Sequence, residues 1–185
     1  MKKVSTIAIG LIAAITSVAS QAQSVAKDGW YGEVGYLSMR FTDSSDISPT
    51  PKLARFVVGK NLNENLSVEG MAGMTMSKGS WSSSSSNKGD LKASMYGFAL
   101  KPKFEVSSGT EVFARVGVAH TSWTDDYTNG TKTGSASSST TKAVYGLGIQ
   151  TEFAKNVYGQ IDYMNYGGKD DWKSKGYTVS VGFRF

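Results

Sequence analysis

Hydrophobic and polar residues alternate along most of this chain with a period of two, in segments of about ten residues. That is the pattern of a strand whose two faces meet different surroundings. The last segment is the clearest: Tyr177, Val179, Val181, Phe183 and Phe185 share one side, with Thr178, Ser180, Gly182 and Arg184 on the other. The same reading upstream predicts strands near 30–41, 52–61, 66–76, 92–106, 110–123, 141–153 and 157–166, which with 176–185 makes eight. No 3.6-residue period is sustained anywhere in the mature chain, so helices are not expected.

The connections fall into two classes. Asn61–Asn65, Ser107–Gly109 and Ala154–Asn156 read as short turns, whereas Thr42–Pro51, Ser77–Leu91, Thr124–Thr140 and Gly167–Lys175 read as longer polar loops. Short and long strictly alternate, so an up-and-down sheet would carry all its long loops at one end. Short periplasmic turns and longer extracellular loops are the form of an outer-membrane barrel. The runs Ser82–Ser86 and Ser135–Thr140 are low in complexity and are expected to be solvated loop.

At the N-terminus, Lys2 and Lys3 precede an apolar run over 7–19 and then Ser20-Gln21-Ala22. This is the layout of a cleaved secretory signal peptide over 1–22, which leaves 23–185 as the barrel domain. The run is too short to span a bilayer, which takes about 20 apolar residues. Removing two lysines from 20 basic residues leaves 18 against 15 acidic ones, a net of +3 in place of +5. So small an excess on an exported chain argues against a nucleic-acid partner. Cysteine is absent and histidine occurs once, which excludes thiolate chemistry and most zinc sites. No cofactor or metal is expected.

Alternation alone does not say which face is inside. Ten-residue strands tilted at about 45° match a hydrocarbon core. Gly35, Gly59, Gly73, Gly97, Gly117, Gly146, Gly148 and Gly182 lie on the polar face, where eight strands close around a narrow interior. Aromatic residues gather near strand ends, with Trp30, Phe104, Phe153, Phe183 and Phe185 at the short turns and Phe41, Trp123, Tyr163, Tyr166 and Tyr177 towards the loops. These read as two interfacial girdles. The fold class is therefore all-β, an eight-stranded antiparallel up-and-down transmembrane β-barrel with its polar face inward. Phase then assigns eleven charges to the lumen: Glu33, Arg55, Glu69, Lys101, Lys103, Glu105, Glu111, Arg115, Glu152, Asp162 and Arg184. Six acids and five bases can pair in so narrow a space, so the interior reads as a polar plug.

The strand pattern, the leader and the ending Tyr177-Thr-Val-Ser-Val-Gly-Phe-Arg-Phe185 together resemble the OmpA-like and OmpX-like family of small outer-membrane barrels. The segments Gly29-Trp30-Tyr31-Gly32 and Val157–Tyr163 are similar to first and seventh strands of such barrels. The resemblance implies a monomer in the outer membrane of a Gram-negative cell, surrounded by outer-membrane lipids and lipopolysaccharide. It also implies that Tyr177, Val179, Val181, Phe183 and Phe185 form the assembly signal read by the barrel-assembly machinery. The expected role is structural or surface-interacting, in adhesion or envelope integrity, with an extracellular ligand met through the loops.

Two alternatives have residues to support them. A small pore for ions or solutes would use the charged lumen. A lipid A deacylase similar to the PagL-like enzymes would use His120 as base and Ser122 as nucleophile. The residue after Ser122 is Trp123 where that family has Asn, and no Glu follows at a matching distance, so the chain is expected not to be an enzyme. Asp125-Asp126 and Asp170-Asp171 are candidate cation ligands. Lys78, Lys88, Lys132, Lys169, Lys173 and Lys175 could meet lipopolysaccharide phosphates as point charges.

Overall fold

The computed structural model describes residues 29–42, 48–169 and 172–185. The expected leader at 1–22 and the Asp170-Asp171 pair lie outside them. The chain forms nine antiparallel strands: β1 (Trp30–Thr42), β2 (Lys52–Asn63), β3 (Leu66–Ser77), β4 (Gly79–Ser84), β5 (Asn87–Ser107), β6 (Thr110–Asn129), β7 (Lys132–Ala154), β8 (Val157–Lys169) and β9 (Trp172–Arg184). They make one sheet in the order β3-β2-β1-β9-β8-β7-β6-β5-β4, and β3 also pairs with β5. That pairing, Leu66↔Pro102 through Met74↔Ser94, closes the ring and removes its edges.

The ninth strand does not widen the barrel. β4 continues β3 along the same neighbour, from Gly79↔Leu91 to Ser84↔Asn87, so the wall has eight staves. The segments expected to be loops at 77–91 and 124–140 are instead long hairpins, with β6 and β7 paired without interruption from Thr110↔Thr151 to Asn129↔Lys132. Their Ser/Thr content, read as low complexity, suits a strand exposed to water on both faces. β5, β6 and β7 have 21, 20 and 23 residues, about twice what a bilayer needs, and so project well past it.

The polarity is inverted relative to a water-soluble barrel. Outward positions are apolar and exposed: Val58, Val68, Phe98, Leu100, Val116, Val118, Leu147, Ile149, Ile161, Val179 and Val181. Inward positions on the same strands are buried and largely charged or polar. The apolar band is bounded below by Trp30, Phe104, Phe153 and Phe185, and above by Tyr36, Tyr96, Tyr145, Tyr163 and Tyr177, all exposed. Tyr163 and Tyr177 pack 4.5 Å apart, and Phe183 stacks on Phe185. Eight residues separate Tyr96 from Phe104 on β5, roughly 20 Å of height at a tilt of about 40°.

The upper girdle differs from the expected one in three members. Phe41 and Tyr166 are fully buried, and Trp123 packs against the same inner cluster. Their phase explains it. Phe41 is in step with Glu33, and Tyr166 with Asp162, so both point inward although they lie at membrane-interface height.

Ile149 lies midway between Tyr145 and Phe153 on the lipid face. Ile149→Arg should cost about 2–4 kcal/mol of stability, measured by urea unfolding in lipid vesicles followed by heat-modifiable gel mobility. Ser82→Arg on the exposed β4 should stay within about 0.5 kcal/mol of the parent.

Candidate functional site: the barrel interior and the projecting sheet

The barrel interior has two layers. The middle and lower layer holds Glu33, Arg55, Glu69, Lys101, Arg115 and Asp162, all buried. Arg115 lies at its centre. Its Nε donates to Glu69 Oε2 at 2.5 Å, Nη1 to Asp162 Oδ2 at 2.8 Å and Nη2 to Glu33 Oε2 at 3.0 Å. Arg55 grips Asp162 with both terminal nitrogens, Nη1 to Oδ1 at 2.9 Å and Nη2 to Oδ2. Lys101 reaches Glu33 Oε1 at 3.2 Å and lies 3.4 Å from Glu69 Oε1. Three carboxylates thus face three cations, and each charge has partners enough to offset its lost hydration.

Neutral groups complete the network. Gln150 and Gln160 accept from Lys101 through their side-chain oxygens at 2.8 and 3.1 Å, and Gln160 Nε2 donates to Glu33 and Asp162. Tyr31 Oη donates to Glu69 at 2.7 Å, and Tyr158 Oη donates to Glu33 at 2.9 Å. Both rings lie across glycines of the neighbouring strand. Tyr31 faces Gly59 and Tyr158 faces Gly182, and a Cβ at either glycine would sit 2.2 Å from the ring. Glycine there lets each tyrosine lie flat on the wall and aim its hydroxyl at a carboxylate. Phase places Gln150, Gln160 and the two tyrosines inside, but attention to formal charge alone passes over them.

At the short-turn end a second set surrounds an open cavity of about 320 Å³ lined by Asn61, Lys103, Glu111, Glu152 and Arg184 among others. Glu111 lies 3.3 Å from Lys103 and 3.1 Å from Arg184, which also pairs with Glu152. Glu105 lies at the edge of this set. It keeps the inward phase opposite Glu111 and lines the cavity rim, but it is exposed, and its carboxylate accepts the Gly109 backbone N–H at 3.1 Å. Glu152 caps the next turn in the same way, accepting from Asn156 N.

The upper layer is apolar. Leu37, Met39, Phe41, Leu53, Met71, Met95, Val144, Met164 and Tyr166 form one buried cluster, with Trp123 and Trp172 packed against it. Neither formal charge nor height along the strand marks this layer; the phase of Leu37, Met39 and Phe41 with Glu33 does.

The projecting β4–β7 sheet carries the candidate surface residues. Trp81 Nε1 donates to Asp125 Oδ1 at 2.8 Å. Lys92 donates to Asp126 at 3.1 Å and Lys78 lies 3.6 Å away. The bond from Lys92, with one from Ser135, holds the Asp126 carboxyl below its usual range. These aspartates are engaged with lysines and indole, and among the described residues no group of three or more potential metal ligands occurs. His120 faces outward, its ring tilted by 34° to Tyr96 with centroids 5.2 Å apart and its Nδ1 2.8 Å from Thr141 Oγ1. Ser122 lies opposite Ser94 and Ser139. No carboxylate completes a relay through His120 among the described contacts.

A closed antiparallel wall with an apolar exterior, two aromatic girdles and an ionic interior defines a transmembrane β-barrel. The chain belongs to the outer-membrane protein β-barrel domain family, whose model matches residues 9–185. Among solved structures it is similar to Ail, the attachment invasion locus protein of Yersinia pestis, at 22% identity and TM-score 0.64 over 85% of this chain and 99% of that one. It is also similar to Neisserial surface protein A, at 15% identity and TM-score 0.65 over 88% and 100%. The N-terminal β-barrel domain of Pseudomonas aeruginosa OprF gives 15% identity and TM-score 0.59 over 84% and 97%. No curated protein matches the chain. The protein is thus an outer-membrane barrel with a multi-pass strand topology.

Arg115→Met would leave Glu33, Glu69 and Asp162 facing only two buried cations. It should cost about 3–5 kcal/mol, read as a lower urea midpoint of the folded, fast-migrating band. Replacing Arg55 and Asp162 together by leucine should cost less than either single change, because no unpaired charge is then left behind.

Proposed function

We propose that the protein is a plugged barrel acting at the cell surface, its strands serving as a rigid mount for the projecting β4–β7 sheet. The observation that carries this reading is the pairing of a closed interior with strands far longer than the membrane needs. The ionic layer is densely bonded within itself and the apolar layer above it offers ions no solvation, so a conducting path would have to disrupt both. Ail has been solved in complex with the heparin analogue sucrose octasulfate. A ligand met at the surface is in keeping with that, and adhesion or envelope integrity would follow from it.

Lipid is the other partner. Lys78, between β3 and β4, and Lys92, on β5, lie just above the upper girdle, with Lys88 nearer the tip of β5, where they can meet lipopolysaccharide phosphates as point charges. We further propose that the lipid-facing row Tyr177, Val179, Val181, Phe183 and Phe185 is what the assembly machinery reads. Tyr177, Val179, Val181 and Phe185 are exposed, and the terminal residue is held to the first strand by a bond from Phe185 N to Trp30 O at 2.8 Å.

Planar-bilayer recording tests the plug. Purified protein should give no stable single-channel steps, and steps whose size changes in Glu69→Gln would favour the pore. Mass spectrometry of lipid A from expressing cells should show no acyl loss, and a loss abolished by Ser122→Ala would favour the deacylase. Shortening the β6–β7 hairpin by replacing 126–135 with Asn-Gly should abolish binding of expressing cells to immobilised sucrose octasulfate while leaving heat-modifiable mobility intact. Deleting Phe185 should reduce the heat-modifiable fraction several-fold in cells.

A further inference from the structure

Three buried side-chain atoms on one patch of the inner wall have no hydrogen-bond partner: Arg55 Nε, Thr178 Oγ1 and Ser180 Oγ. Strand register brings them together. Gly35 on β1 lies opposite Arg55 on β2 and opposite Ser180 on β9. Thr178, two residues along β9, lies opposite Asp162 on β8. Arg55 holds Asp162 with both terminal nitrogens, so its side chain runs from β2 across β1 and β9 to reach β8. Its Nε–H therefore passes over the stretch of wall carrying Gly35, Thr178 and Ser180.

Gly35 puts no side chain into this stretch. A Cβ there would lie 2.4 Å from Ser180 Oγ and 2.9 Å from Thr178 Cγ2, so the serine hydroxyl and the threonine methyl lean over the glycine. A donor and two hydroxyls, all buried and all without partners, are the requirement for an enclosed water, which characteristically makes about three hydrogen bonds to such groups.

We propose that this patch is a binding site for one ordered water molecule, accepting from Arg55 Nε and bonded to the hydroxyls of Thr178 and Ser180. The occupant is neutral, because the adjoining network already balances Glu33, Glu69 and Asp162 against Arg55, Lys101 and Arg115. It is also enclosed. Leu37 lies opposite both Thr178 and Leu53 in the register, and both leucines are fully buried. The water is thus held at the boundary between the ionic and apolar layers, where it completes the hydrogen bonding of the arginine that ties β2 to β8. This goes beyond the surface role proposed above and does not depend on it.

The test uses the folded mature barrel in detergent. A crystal structure should show a water within about 3.5 Å of Arg55 Nε and of at least one of the two hydroxyls. Direct contact of Nε with either hydroxyl, or no density there, overturns the proposal. Thr178→Val and Ser180→Ala keep the shape of the wall and remove one water ligand each. Both should lower the urea midpoint, since the water and Arg55 Nε lose a partner. An unchanged or raised midpoint overturns the proposal, because deleting a hydroxyl that is unpaired in a dry wall relieves the barrel. Should either variant fail to fold, the density in the unaltered protein decides.

Discussion

Within a hydrocarbon layer there is no water to satisfy backbone N–H and C=O groups, and the rest of this structure depends on that constraint. Closing the sheet through the β3–β5 pairing gives every transmembrane strand two neighbours, so backbone polarity is spent between strands and none faces lipid. Once the ring is closed, side-chain polarity has one remaining choice. Apolar residues must face the lipid, and whatever the narrow interior holds must satisfy itself.

The interior meets that requirement in two ways. Around Arg115 it uses charge, with each carboxylate meeting at least two cations and further hydrogen bonds from tyrosine or glutamine. Towards the projecting sheet it uses ordinary apolar packing, led by Leu37, Met39, Phe41 and Leu53. The boundary follows the sequence. On β1, Glu33 gives way at Leu37, and on β8, Asp162 gives way at Met164 and Tyr166. A wholly charged interior would leave the wide upper mouth wet, whereas a wholly apolar one would lack the directional bonds that fix strand register. Cross-strand placement of Tyr31 over Gly59 and Tyr158 over Gly182 shows how closely the two tasks are joined, since wall packing and carboxylate satisfaction use the same side chains.

Much of this was legible in the chain. Period-two alternation set the strand count of the wall and the inward direction of the six charges buried around Arg115 and Asp162, because in a barrel phase is geometry. What escaped was of three kinds. β4 and the tips of β6 and β7 carry Ser and Thr on both faces, so alternation vanishes where the strands leave the membrane, although pairing continues. Phe41, Trp123 and Tyr166 have the height of an interfacial girdle, but their phase with Glu33, Arg115 and Asp162 points them inward. Charge partners were not readable at all, because pairing across the lumen depends on the stagger of strands far apart in sequence, such as Arg55 and Asp162.

The separation of layers also bears on where activity can reside. A buried network with balanced charge and few open valences has little left to offer a passing solute. An apolar layer above it excludes the hydration that an ion would need. By contrast, the projecting sheet is held by the same continuous hydrogen-bond ladders as the wall, from Tyr145 in the girdle to Lys132 at the tip. Rigidity established in the membrane is therefore transmitted to surface residues such as Trp81, Asp125 and Lys92. A ligand meeting that sheet would find an ordered face whose conformational cost has already been met by the barrel below.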